Sequence, residues 1–191
     1  MDQLKCITLN VRGLRDRAKR SRLFTYLDNN KADIVFLQET YCTHELECEF
    51  LREWNGKIYH SFSSTNHARG VCILISNDVN FDLISEHKDK EGRLLLLNIS
   101  INKSEFSLLS VYSPNKENER ISFIKNTIDW CNENVASPSK LLVGGDLNCA
   151  LEKIDRKTKQ HKEKSHLALK LFLSSFNVLD SWLLKNKNTH N

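Results

Sequence analysis

The sequence is poor in proline, in glycine and in long apolar runs. Two prolines and six glycines among 191 residues argue against a collagen-like, linker-like or low-complexity protein. No apolar run approaches the roughly 20 residues that a membrane-spanning helix needs. Residues 1–10 also lack the charged-then-apolar layout of a signal peptide. We therefore expect a soluble intracellular protein, nuclear or cytoplasmic, with no membrane partner.

Cysteine pairs with the spacing of metal ligands are also missing. The sequence has six cysteines but no Cys-x-x-Cys motif. They lie far apart, at Cys6, Cys42, Cys48, Cys72, Cys131 and Cys149. Three of them lie within apolar stretches, where a free thiol behaves as a small hydrophobic group. This spacing predicts reduced thiols, as in the cytosol or nucleus.

The rest of the composition is that of an ordinary globular protein. Apolar residues make up 40% of the chain and charged residues 27%. A length of 191 residues suits a single domain over 1–191 with one large shared core.

The net charge of +4 is modest, but the basic residues are clustered in two runs. The first contains Arg12, Arg15, Arg17, Lys19, Arg20 and Arg22, and the second contains Lys153, Arg156, Lys157, Lys159, Lys162 and Lys164. Either run alone is typical of a solvated helix face or loop. Each run, however, follows a strand end with candidate functional residues, which favours a polyanionic substrate such as nucleic acid. The candidate DNA contacts are Arg12, Arg15, Arg156 and Lys157.

The stretch 141–148 has the pattern of a strand that ends in a functional loop. Three apolar residues predict a short buried strand, and Gly144 and Gly145 then predict a tight turn. Asp146 and Asn148 follow at once. Side chains at the carboxyl ends of buried strands often form the sites of α/β proteins. Gly-Gly-Asp is also ordinary turn chemistry, so this stretch alone leaves both interpretations open.

The apolar patterns along the chain alternate between the strand and helix periods. Strands are predicted at 4–10, 34–37, 58–62, 70–76, 79–83, 93–99, 106–112 and 141–143. Helices are predicted around the apolar stripes Leu23–Leu27, Leu46–Trp54, Ile121–Cys131 and Leu169–Phe176. This order predicts a mixed α/β fold with two facing sheets and helices outside them.

Polar side chains recur at these strand ends. They are Asn10, Glu39, Tyr112, Asp146 and Asn148. Taken singly, Asn10 could be a turn residue, Glu39 a solvated acid and Tyr112 an ordinary strand aromatic. Together, two carboxylates and two amides form a hard oxygen site suited to Mg²⁺ or Mn²⁺. A cation there, with a tyrosine hydroxyl beside it, predicts phosphodiester hydrolysis.

The motifs that contain these residues resemble the endonuclease/exonuclease/phosphatase superfamily. They are Asn10–Leu14, Asp33–Thr40, Arg69–Val71, Val111–Pro114 and Gly145–Asn148, in the family's order. The segments 154–156 and 179–182 are similar to the apurinic-type endonuclease domain of non-LTR retrotransposons in particular. The resemblance covers essentially the whole chain.

The resemblance implies a four-layered α/β sandwich and a role for each site residue. Glu39 would be the principal metal ligand, with Asn10 adjacent. Asp146 and Asn148 would orient the attacking water and bind phosphate, and Tyr112 would lie beside the scissile phosphate. In the mobile-element branch such a domain nicks DNA and frees a 3′ hydroxyl that primes reverse transcription, so the implied partners are DNA and a reverse transcriptase of the same polyprotein.

The match is incomplete at the carboxyl end. The family continues with further strands, an aspartate and a Ser-Asp-His motif, none of which the sequence contains after Asn188. We therefore expect a C-terminally truncated domain that lacks the closing strands and has severely reduced activity alone.

Three alternatives to a retrotransposon endonuclease stay open at this point. The same fold serves abasic-site repair nucleases and lipid or inositol phosphodiesterases. The two basic runs favour nucleic acid over lipid. A truncated, non-catalytic nucleic-acid-binding relic is the third alternative.

Overall fold

The computed structural model describes residues 3–63, 68–151, 164–181 and 184. Within them lie eight strands and four helices. The strands are β1 (Cys6–Asn10), β2 (Ile34–Gln38), β3 (Gly56–Ser61), β4 (Val71–Ser76), β5 (Asp82–Lys88), β6 (Leu94–Ile101), β7 (Ser104–Tyr112) and β8 (Leu141–Asp146). The helices are α1 (Arg17–Asn29), α2 (His44–Glu53), α3 (Glu117–Asn134) and α4 (Ser165–Ser175).

The strands form two mixed four-stranded sheets. The first has the order β1-β2-β4-β3, and the second has the order β5-β6-β7-β8. In each sheet one pair is parallel, β1 with β2 and β7 with β8, while the other pairs are antiparallel. The hairpin between β6 and β7 turns at Asn102 and Lys103, both with positive φ, as the sequence predicts for a tight connection.

The sheets pack face to face with helices on both outer sides, because their strands alternate between two apolar environments. In β2, Ile34 and Phe36 lie in the core between the sheets, while Val35 and Leu37 lie in the core under the helices. Helices α1 and α2 cover the first sheet. Helices α3 and α4 cover the second. The predicted α/β sandwich of four layers is confirmed.

Three local predictions are wrong. The alternation of Val79, Phe81 and Leu83 predicts a strand over 79–83, but β5 begins only at Asp82, and the buried Val79 serves the inter-sheet core. Leu51, predicted on the apolar stripe of α2, is 50% exposed, because Phe50 takes the buried position. Leu142 is 38% exposed, because β8 pairs only with β7 among the described strands.

The cysteines form no disulfide. All six are free, and Cys42, Cys72 and Cys131 are buried as small apolar groups, whereas Cys6 is exposed. Among the described residues, no helix combines the length and apolar character needed to cross a membrane.

Candidate functional site

Two pairs of parallel strands end at the same edge of the sandwich. The register pairs Asn10 with Gln38 at the ends of β1 and β2, and Tyr112 with Asp146 at the ends of β7 and β8. Strand β1 packs against β8, so both pairs of ends meet. The polar residues that follow the buried strands therefore come together from both sheets.

The close approach of the sheets at this edge depends on Gly144 and Gly145. Both lie inside β8, so the prediction of a tight turn at these glycines is wrong. A Cβ on Gly144 would come closer than 3.0 Å to the ring of Phe36, and one on Gly145 would overlap the backbone of Val111. The glycines leave room for neighbouring atoms and so let β8 extend to Asp146.

The amide of Asn10 joins the carboxylates of the two sheets. Its Nδ2 donates to Glu39 Oε1 and to Asp146 Oδ2, at 2.9 Å in each case. Its Oδ1 accepts from the backbone N–H of Arg12 at 3.2 Å. Two acidic side chains that lie far apart in sequence are thus held on either side of one small polar group.

Glu39 is surrounded by donors, and its backbone is left-handed with φ of 55°. Tyr41 donates its hydroxyl to Glu39 Oε2 at 2.9 Å, and Tyr112 donates to the same carboxylate. Burial alone would raise the pKa of Glu39, but these bonds, that from Asn10 and the charge of Arg12 lower it below its usual value. Glu39 is therefore an anion at neutral pH.

The Tyr112 hydroxyl stays protonated at neutral pH. Burial, followed by its hydrogen bond to Glu39 and the charge of that carboxylate, raises the pKa of Tyr112 to about 12. Its backbone is fixed from the other side, because Arg93 donates to the Tyr112 carbonyl at 3.0 Å. Tyr112 is thus a positioned O–H donor.

Asn148 is fixed in the loop that follows β8. It has a positive φ of 49°, a conformation that asparagine tolerates better than most residues. Its backbone N–H donates to Asp146 Oδ1 at 3.0 Å, and its Nδ2 donates to the carbonyl of Ser113 at 2.8 Å. The loop thereby orients the Asp146 carboxylate as well.

Tyr41 is a site residue that the sequence analysis missed. Its ring lies against Gly13, where a Cβ would meet the ring at 2.8 Å, and Gly13 itself has φ of 87°. The backbone N–H of Gly13 donates to the Glu39 carbonyl at 2.6 Å, which ties the two loops together. The sequence signal that could have identified Tyr41 is its position two residues after Glu39.

The first basic run separates into site-facing and structural residues. Arg12 and Arg15 are exposed beside the site, and Arg15 Nε donates to the Tyr41 carbonyl at 3.0 Å. Arg20, in contrast, is fully buried and pairs with Glu53 at 3.0 Å and with Glu49. Arg20 therefore does not contribute to a surface for an anionic substrate.

The other predicted contacts, Arg156 and Lys157, lie outside the described residues, as do the segment 154–156 and Trp182. The structure brings together Asn10, Glu39, Tyr112, Asp146 and Asn148. Their roles in metal binding and catalysis stay predictions. Among the described residues no three His, Cys, Asp or Glu side chains form a metal-binding group, so any cation here would rest on two carboxylates and amides.

Comparison with solved structures shows related folds. An AP endonuclease from Archaeoglobus fulgidus is 25% identical with a TM-score of 0.68, over 90% of this chain and 70% of that one. The endonuclease domain of TRAS1, a telomere-specific non-LTR retrotransposon, is 15% identical with a TM-score of 0.63, over 91% and 71%.

Comparison of sequences agrees with the fold. The transposon TX1 uncharacterized 149 kDa protein of Xenopus laevis is 28% identical over 186 residues, which are 97% of this chain. The chain spans 14% of the length of that relative. The model of the endonuclease/exonuclease/phosphatase family matches residues 7–188. With nearly its whole length matched and two facing sheets that meet at an acidic site, this chain belongs to the endonuclease/exonuclease/phosphatase family.

Proposed function

We propose that this chain hydrolyses phosphodiester bonds of DNA with Mg²⁺, as the endonuclease domain of a retrotransposon protein. The observation that carries the proposal is the position of the Asn10 amide between two carboxylates. Its Nδ2 lies 2.9 Å from Glu39 Oε1 and 2.9 Å from Asp146 Oδ2. Similarity to the transposon TX1 protein and to the TRAS1 domain supports the mobile-element setting. In that setting the freed 3′ hydroxyl would prime a reverse transcriptase of the same polyprotein.

The donor set of the site fits a hard divalent cation. Mg²⁺ in proteins is commonly held by one or two carboxylates, with waters and substrate phosphate oxygens as the other ligands. Glu39 would be the main ligand, because it is anionic and partly exposed. Asn10 could add its amide oxygen after turning away from the Arg12 backbone, from which that oxygen now accepts. Mg²⁺, or Mn²⁺ in its place, would polarise the phosphoryl group and stabilise the leaving oxygen.

The side chains around this position have complementary tasks. Asp146, held by Asn10 and by the Asn148 backbone, would accept a proton from the attacking water and orient it. Asn148 would support that carboxylate. Tyr112 keeps its proton, because its pKa is raised to about 12, and would donate a hydrogen bond to the phosphate or the leaving oxygen.

The basic residues at the site favour nucleic acid as the substrate. Arg12 and Arg15 are exposed on the loop that Gly13 ties to Glu39, so their charges would lie beside the reacting phosphate. Lysine and arginine side chains neutralise phosphates along the DNA backbone and supply a large share of a protein's affinity for DNA. Arg156 and Lys157 stay predicted DNA contacts from the sequence.

Nicking of supercoiled plasmid tests the proposal. We expect weak Mg²⁺-dependent nicking that EDTA removes and that Glu39→Ala and Asp146→Ala each slow by about 100-fold or more. Asp82→Ala is the matched control, since Asp82 is an exposed acid opposite Ser100, away from the site. Nicking at the wild-type rate in both site variants would refute the proposal.

Incision at abasic sites is a second candidate, favoured by the likeness to the Archaeoglobus fulgidus AP endonuclease. A duplex with one tetrahydrofuran abasic analogue and an otherwise identical intact duplex separate the two functions. A retrotransposon-type endonuclease cuts both duplexes at comparable rates, whereas a repair nuclease cuts the abasic duplex alone.

A further inference from the structure

Two arginines next to the candidate site share a single carboxylate. Arg69 Nη1 lies 2.8 Å from Glu91 Oε2, and Arg93 Nε lies 3.3 Å from the same oxygen. One carboxylate cannot neutralise two guanidinium groups, so this cluster of Arg69, Glu91 and Arg93 keeps one net positive charge. Arg69 begins the sequence motif Arg69–Val71, but its pairing with Glu91 was not predicted, because Glu91 and Arg93 come from a separate loop.

The cluster forms part of the wall of the site. The Arg93 guanidinium lies 5.3 Å from the centre of the Tyr112 ring and donates to the Tyr112 carbonyl. On the other side, the Arg69 carbonyl accepts from the backbone N–H of Tyr41 at 2.9 Å. Both tyrosines donate to Glu39. The cluster therefore contacts both tyrosines that donate to the acidic centre.

The two loops are held in place before any ligand binds. The backbone N–H of Gly70 donates to the carbonyl of Gly92 at 3.1 Å, which joins the loop before β4 to the loop before β6. Asp89 Oδ1 accepts from the backbone N–H groups of Arg93 and Leu94 at 2.8 and 3.0 Å. A fixed backbone on both sides reduces the entropy that ordering the arginines would cost on binding.

The two arginines differ in what they can offer to a ligand. The Arg93 side chain is only 9% exposed, between the rings of Tyr112 and Phe123. The Arg69 side chain is 34% exposed, and within the described residues its only side-chain partner is Glu91. Arg69 thus faces solvent with unused N–H donors, and Arg93 supplies charge from beneath.

We propose that the Arg69–Glu91–Arg93 cluster binds a backbone phosphate adjacent to the scissile one, with Arg69 as the residue that contacts it. The planar guanidinium fork fits two phosphate oxygens at once, which a lysine cannot match. Glu91 occupies part of that fork and so weakens the site. The inference rests on the proposed nucleic-acid substrate and identifies a contact that would hold the strand next to the acidic centre.

Binding of labelled duplex DNA in EDTA, measured at several salt concentrations, tests the cluster without any catalysis. We expect Arg69→Ala to weaken binding about tenfold, because a charge-assisted hydrogen bond is lost. We also expect its slope of log affinity against log salt to fall by about one. Glu91→Gln should bind about threefold more tightly, because it frees Arg69 from an exposed ion pair. Lys103→Ala is the control, since Lys103 is an exposed cation at the opposite end of β7.

The expected changes in DNA affinity are opposite in the two variants, and this distinguishes phosphate binding from a purely structural ion pair. A structural pair would make Arg69→Ala and Glu91→Gln equally harmless or equally harmful. The inference is overturned if Arg69→Ala binds like wild type, or if Glu91→Gln does not bind more tightly. Loss of plasmid nicking would not change these affinities, so failure of the proposed hydrolysis is distinguishable from failure of this phosphate site.

Discussion

Asn10 and Asp146 lie 136 positions apart in sequence, yet the amide of one donates to the carboxylate of the other at 2.9 Å. The bond joins the end of β1 in the first sheet to the end of β8 in the second. Because the same nitrogen also donates to Glu39, it lies between the two carboxylates that we propose as cation ligands. The site therefore depends on how the two sheets pack.

Removal of the Asn10 amide should raise the pKa of Glu39 in the metal-free protein. Burial already opposes ionisation of Glu39, and the bonds from Asn10, Tyr112 and Tyr41 overcome it. Asn10→Ala deletes one of these donors and brings no new charge. Carbon-detected NMR of labelled glutamate follows the titration. An unchanged or lower Glu39 pKa in the variant would contradict this assignment.

Arg20 should be required for stability rather than for DNA binding. Its fully buried guanidinium pairs with Glu49 and Glu53, whose side chains are 47% and 18% exposed. Water can hydrate these carboxylates when the arginine is removed, so the cost is that of lost hydrogen bonds between charged groups, about 1.5–3 kcal/mol. We expect a loss of that size in the free energy of unfolding for Arg20→Met in urea. Arg22→Ala, an exposed residue of the same basic run, should change stability by less than about 0.5 kcal/mol. Equal effects of the two substitutions would refute the structural assignment.

His60 should make the protein less stable as the pH falls. It is 1% exposed, neither ring nitrogen has a partner among the described residues, and burial with the nearby charges of Lys88 and His44 lowers its pKa to about 3. Its contribution is complete above the unfolded value of 6.5 and is lost as the pH falls from there towards 3, by about 1.4 kcal/mol per pH unit.

Urea unfolding of wild type and His60→Phe between pH 7 and pH 5 measures this contribution. The variant keeps an aromatic ring between Phe50 and Phe62 but has no titrating group. Its stability should depend less on pH over this interval. Parallel curves of stability against pH for the two proteins would show that folding does not lower the pKa of His60.

A methyl group at Gly144 should disturb both the core and the site. Gly144→Ala would place its Cβ against the Phe36 ring, and overpacking of this kind costs about 1–3 kcal/mol. Thermal unfolding measures that cost. We also expect the added methyl group to displace β8 and with it Asp146, which should slow plasmid nicking. Leu142→Ala, on a side chain that is 38% exposed in the same strand, should leave both properties nearly unchanged.

The hydroxyls of Tyr112 and Tyr41 should differ in importance for plasmid nicking. Tyr112→Phe should slow nicking by about 100-fold or more if the hydroxyl donates to the reacting phosphate. Tyr41→Phe removes only a second donor to Glu39, so its effect should be smaller. Affinity for DNA in EDTA should stay the same in both variants. A larger loss of nicking rate in Tyr41→Phe than in Tyr112→Phe would contradict Tyr112 as the donor to the phosphate.

The parts of the molecule that local patterns determine were predictable from the sequence. An unbroken apolar run predicts a strand buried on both faces, and β2 is one. Polar residues directly after parallel strands predict a shared site, and Asn10, Glu39 and Asp146 meet there. These features follow from the period of the strand and from the direction of the chain.

The parts that depend on distant contacts were not predictable. Gly144 reads as a turn residue until Phe36 is seen packed against it. Arg20 reads as surface charge, because its partners Glu49 and Glu53 lie on another helix. Leu142 reads as buried until its strand is found at the sheet edge. In each case the deciding neighbour is far along the chain.

A double-mutant cycle of plasmid nicking tests most directly whether Glu39 and Asp146 act as one centre. The rates of wild type, Glu39→Ala, Asp146→Ala and the double variant are compared in Mg²⁺. Residues that act as a unit show losses that do not multiply, so the double variant should be no slower than the worse single variant. Losses that multiply, or a wild-type rate in either single variant, would contradict a shared centre.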